Sequence, residues 1–178
     1  MIMPYRIARL SFSLQWLCRG ALVVLPASMV GIAILTFRDP ATISDYLTGI
    51  TLLGVPSPGL LGLVLLLAFI PQAAALYVLW QLEGLFGLYR RGETLTAAPA
   101  RRIRAIGHGV VALALLPLVI RPLAGMALSF ANPPGARQLN VSLSSGDVGL
   151  LLAGGLLVVI GWIMGEAVRI AEENRGFV

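Results

Sequence analysis

The apolar residues of this chain neither alternate with polar ones, as in a half-buried strand, nor mark one face of an amphipathic helix. They run together in four stretches, at about 20–37, 60–82, 106–130 and 148–165. A bilayer core of about 30 Å is crossed by about 20 predominantly apolar helical residues, and each stretch meets or approaches that length. Lipid offers no partner for a bare peptide group, so such stretches must be helical. The connections carry turn formers: Pro40, Pro56 and Pro58, then Gly92 and Pro99, then Pro133, Pro134 and Gly135. The pattern predicts an all-α integral membrane protein, a single domain of four transmembrane helices over residues 1–178. An elbow at 83–105 and a tail at 166–178 lie outside the spans. No internal repeat or soluble domain is visible.

Composition agrees and excludes the alternatives. Hydrophobic residues make up 58% of the chain and charged ones 12%, with a mean hydropathy of +0.90. A soluble domain carries about 25% charge, so a water-soluble core and intrinsic disorder are both excluded. Cys18 is the one cysteine, which rules out an internal disulfide and multi-thiolate metal chemistry.

All 13 basic residues are arginines, and ten of them (6, 9, 19, 90, 91, 101, 102, 104, 169 and 175) fall on one side of the spans. Arg38, Arg121 and Arg137 fall on or near the other. Short arginine-bearing loops stay in the cytoplasm, so both termini and the elbow are expected there. Trp16, Trp80 and Trp162 sit near the same ends of their spans, as an interfacial belt requires. A cleaved signal peptide over 1–30 is the competing reading, but its apolar run exceeds the usual core of about 7–15 residues and cleavage would leave an odd number of spans. Gln15-Trp16-Leu17 lacks the small residues of a lipoprotein site, so Cys18 reads as a membrane-buried thiol.

Polar residues inside a span are expensive and each needs a reason. Gln72 follows Pro71 and reads as satisfying a kink or bonding a neighbouring helix, with a substrate contact as the sharper alternative. Arg121 reads as a snorkelling side chain or a contact for an anionic lipid or small anion. Glu83, His108 and Glu166 end or begin their spans at similar depth; converging, they could hold a divalent metal or relay protons. Nothing in their spacing requires convergence, and no cofactor is expected. No nucleophile with a nearby base, phosphate loop or zinc spacing occurs, so no enzyme is expected. Gly154, Gly161 and Gly165 give the last span a small-residue stripe, suited to packing within the chain or to a homo-oligomer face.

The remaining charge gathers on two elements. Arg90, Arg91, Arg101, Arg102 and Arg104 make the elbow basic, and Thr96 is an N-cap candidate for a helix running through Pro99. In the tail, Arg169 can pair with Glu166, Glu172 and Glu173 at helical spacing. Elbow and tail can pair with each other, face anionic lipid, or receive a partner protein.

Leu85-Phe86-Gly87-Leu88-Tyr89-Arg90-Arg91-Gly92-Glu93-Thr94-Leu95-Thr96, followed by Arg101 through Gly107, resembles the elbow of a bacterial membrane family, domain of unknown function 2975. Leu139 through Ser144 is similar to that family's alternating outer segment, and Ala171 through Val178 to its acidic tail. Leu95 stands where the family usually has an aromatic residue. The resemblance implies a four-span protein of the bacterial inner membrane without assigned catalysis, often encoded beside a small helix-turn-helix regulator. The leading expectation is a non-enzymatic membrane protein that presents the elbow and tail to such a regulator or to another membrane subunit, without binding nucleic acid itself. A small transporter or channel subunit using Gln72 and Arg121, and a redox or metal protein using His108, are the alternatives.

Overall fold

The computed structural model describes residues 5–39, 56–94, 96–130, 132–133 and 143–175. Nearly all of them belong to four helices: α1 (Tyr5–Arg38), α2 (Pro58–Arg90), α3 (Ala97–Ser129) and α4 (Ser145–Arg175). Among the described residues there is no strand. All four helices are long and apolar enough to cross a membrane. Each also outruns its apolar stretch: α2 continues past Leu82 to Arg90, and α4 past Gly165 to Arg175. Arg137, the outer segment up to Ser142 and the last three residues lie outside the described residues.

The helix ends follow local chemistry. Ser57 precedes Pro58 at the start of α2, and its hydroxyl accepts from the Leu60 N–H at 3.4 Å. At the other end of α2, Gly92 adopts φ +84° while the Glu93 N–H donates to the Leu88 carbonyl at 3.1 Å and the Gly92 N–H to Tyr89 at 3.1 Å. This paired closure needs a left-handed residue, which only glycine supplies without strain. Before α4, Ser144 and Asp147 cap each other: the Ser144 N–H and hydroxyl donate to Asp147 Oδ2 at 2.9 and 2.8 Å, and the Asp147 N–H donates back to the hydroxyl at 3.2 Å.

Thr96 occupies the N-cap of α3 with extended backbone, but its hydroxyl makes no capping bond. Thr96→Ala is therefore expected to leave the melting midpoint in detergent almost unchanged. A bonded cap would lose about 1 kcal/mol on the same substitution, and a shift of that size would refute the geometry.

Pro26, Pro71, Pro117 and Pro122 all lie inside helices that continue through them. Each removes a donor to the carbonyl four residues earlier, a defect that membrane helices tolerate through local adjustment.

The four-helix bundle is open. α1 packs on α2, α2 on α3 and α3 on α4, with no other helix pair in backbone contact among the described residues. Two apolar clusters join α2 to α3. One contains Leu61, Val64, Ala124, Ala127 and Leu128; the other is built on Val78, Leu85 and Ile106. Their numbering descends on one helix as it rises on the other, so the pair is antiparallel. Outward faces remain apolar, with Val23, Leu66, Leu152 and Ile163 largely exposed. That inversion of the soluble pattern is what a lipid-facing surface requires.

Glycine sets the approach of α4. A Cβ at Gly107 would lie 2.6 Å from the Val158 nitrogen and 2.8 Å from the Gly154 carbonyl. One at Gly154 would lie 2.8 Å from the Val111 nitrogen, and one at Gly161 2.7 Å from the Arg104 nitrogen. The obstacles are backbone atoms, so Gly154 and Gly161 pack inside the chain, against α3. Gly165 sits more loosely, its built Cβ 4.0 Å from that of Ala100.

Candidate functional site

Antiparallel packing gathers the start of α1, the α2–α3 turn and the end of α4 at one end of the molecule. Most of the described arginines and all three tryptophans lie there. Between α1 and α2, the Arg90 guanidinium donates to Gln15 Oε1 at 2.7 Å. Gln15 Nε2 in turn donates to Glu83 Oε1 at 2.7 Å. Arg19 reaches the same carboxylate oxygen at 2.8 Å. Arg90 lies 5.0 Å from the Phe12 ring centroid and Arg19 5.6 Å from that of Trp16, within cation–π range. Between α2 and α3, Arg102 donates to Gln81 at 2.9 Å and lies 5.8 Å from the Trp80 ring. The guanidinium rests against Gly84, where a side chain would collide with it.

These contacts divide the basic residues of the elbow. Arg90 and Arg102 tie helices together, and Arg91 pairs with Glu93 across the turn at 3.2 Å. Arg101 and Arg104 have no ion-pair or hydrogen-bond partner among the described residues. Both line a groove of about 490 Å³ between α3 and α4, together with Trp162, Gly161 and Glu166. In the tail, Arg169 bonds Glu166 on one side and Glu173, at 2.9 Å, on the other. Glu172 takes no part in that pairing, and no ion pair joins tail to elbow among the described residues.

The three metal candidates do not converge. Glu83 is engaged by Gln15 and Arg19, Glu166 by Arg169, and His108 is exposed on α3. The backbones of α2 and α4 are not in contact, and no group of three such ligands forms among the described residues. Of the intramembrane polar residues, Gln72 is half-buried and makes no side-chain hydrogen bond among the described residues, to a kink carbonyl or to a neighbour. Arg121 is exposed at the edge of a second cavity.

Sequence reasoning missed Gln15, Arg19 and Gln81. A signal existed for the first: Ser11, Gln15 and Cys18 fall on one helical face, and all three are buried. It is hidden when the helix is read as starting at residue 20, because polar residues before a span look like solvated headgroup contacts.

Four antiparallel helices, apolar on their outer faces and charged at one end, define a multi-pass membrane protein. More particularly, the chain belongs to the family described as protein of unknown function (DUF2975), whose family model matches residues 35–175. No match was found among curated proteins or among solved structures.

Proposed function

We propose that this protein has no catalytic activity of its own and holds a cytoplasmic partner, the acidic face of a soluble regulator, through the arginine-bearing end of α3. The observation that carries this reading is a contrast in pairing. Arg19, Arg90, Arg91, Arg102 and Arg169 each have a carboxylate or amide partner in the chain, whereas Arg101 and Arg104, one turn apart, have none among the described residues. A guanidinium is planar, permanently charged and rich in donors, which suits it to carboxylates on another molecule. Trp162 beside the pair offers the kind of large amphipathic contact that anchors interfaces. The excess of arginine at this end supports its placement in the cytoplasm.

The transport reading of Gln72 and Arg121 draws less support, because α2 and α3 run unbroken past their prolines, without the discontinuous helices that make carrier sites. The redox reading of His108 draws less support, because no group of three metal-ligating side chains forms among the described residues.

Affinity capture of the full chain from native membranes tests the docking role. A stoichiometric acidic protein is expected, lost progressively as salt rises. Converting Arg101→Glu and Arg104→Glu together should lower its recovery about tenfold, since like charges then face each other. Unchanged recovery with the double variant, or capture of a membrane subunit held independently of these arginines, would reject the reading.

A further inference from the structure

The far end of the helices holds a second feature that the docking role leaves unused. A cavity of about 340 Å³ lies among α1, α2 and α3, with almost entirely apolar walls. Its deep part is formed by Met29, Pro71 and Pro117, one residue from each helix. Toward its other end it carries two polar groups, Thr36 near the end of α1 and Arg121 one turn beyond Pro117 on α3. Thr36 is only 1% exposed, and its hydroxyl is the one fully buried side-chain polar atom without a hydrogen bond among the described residues. Helical threonines usually donate to a carbonyl one turn back, so an idle hydroxyl on a cavity wall marks an unmet partner. Arg121 forms no ion pair with a described carboxylate. Its charge acts on Asp147, whose carboxylate is bonded by the N–H and hydroxyl of Ser144.

An apolar slot that ends in a hydroxyl and a guanidinium matches one molecular shape: a single hydrocarbon chain ending in an anion. The volume is at the small end of ligand sites, which run from about 300 to 1,000 Å³, and leaves room for one chain rather than two. We infer that the cavity binds a long-chain carboxylate, with its tail between Pro71 and Pro117 and its head on Arg121 and Thr36. Arginine is the stronger contact, because it supplies charge as well as donors, and the hydroxyl adds a neutral hydrogen bond.

The test uses the full chain in detergent and a photoactivatable long-chain carboxylate, with labelled peptides mapped by mass spectrometry. Labelling is expected on the α1 and α3 segments around Ile32 and Ile120. Dodecanoate should compete about tenfold better than dodecanol, a difference typical of one charge-assisted contact. Arg121→Gln should abolish that preference, and Thr36→Val should weaken binding a few-fold. Ala68→Phe, which fills the slot from α2, should suppress labelling. Because Arg121 is exposed and its replacement leaves the packing intact, Arg121→Gln decides the matter even if Ala68→Phe misfolds. Equal competition by alcohol and carboxylate would mean mere partitioning of hydrocarbon and overturn the inference. Stronger competition by a lysophospholipid than by dodecanoate would overturn it too, assigning the slot to bilayer lipid. Since these readouts do not involve Arg101 or Arg104, they stand or fall apart from the docking role.

Discussion

Gly107→Leu is expected to release α4 from the rest of the protein. A Cβ there would lie 2.6 Å from the backbone nitrogen of Val158 and 2.8 Å from the carbonyl of Gly154, and leucine adds more atoms in the same direction. No rotamer relieves a collision with backbone, so the two helices must separate along the contact. Overpacking in a core costs about 1–3 kcal/mol when side chains can shift, and a helix–helix backbone clash belongs at or above the top of that range. Little else compensates, because the backbone of α4 contacts only that of α3 among the described helices. A disulfide reports the result directly. In a Cys18→Ser background, Ala100→Cys with Gly165→Cys places two Cβ atoms about 4.0 Å apart, inside the range of about 3.5–4.5 Å that a disulfide needs. Oxidation should join α3 to α4 in that protein and fail once Gly107→Leu is added, alongside a large fall in melting temperature. A bond that forms at the same rate in both proteins would show that the glycine contact does not hold α4.

Lipid makes the gross architecture legible and leaves the contacts hidden. Four apolar stretches had to become helices, because no other backbone conformation satisfies its own hydrogen bonds in a bilayer. Which helices touch could not be read in the same way. Inward and outward faces are both apolar, so the contrast that orients a soluble helix is missing. Glycine is the residue that breaks this symmetry. Gly154 and Gly161 stand out in the sequence of α4 as sites for close approach, while their counterpart Gly107 and the α3 backbone at Arg104 become apparent only in the structure. Polar contacts split similarly. The pairing of Arg169 with Glu166 and Glu173 follows from helical spacing. The Arg90–Gln15–Glu83 chain joins residues 68 and 75 positions apart and has no local signature. Depth was equally misleading for Glu83, His108 and Glu166, since an open row of helices can hold three residues at one level without bringing them together.

The same openness decides how α1 is held. Its backbone contacts α2 alone among the described helices, and few of its apolar residues are buried, so the polar chain at its N-terminal half carries an unusual share of the attachment. Gln15 is 6% exposed and spends both ends of its amide, one on Arg90 and one on Glu83. Glu83→Ala should therefore be the most damaging change in this layer. It strands a buried amide donor, at a cost of about 1–3 kcal/mol. The loss of Arg19, whose side chain is 50% exposed, adds less than about 1 kcal/mol. Glu83→Gln keeps an acceptor at the same place and should recover most of the stability. Gln15→Leu removes donor and acceptor together, leaves Glu83 to Arg19, and should cost less than Glu83→Ala even though it alters the more deeply buried residue. Melting in detergent and limited proteolysis at the α1 end give the ranking. If Gln15→Leu proved as harmful as Glu83→Ala, the attachment would rest on the shape of the glutamine rather than on satisfying its buried amide.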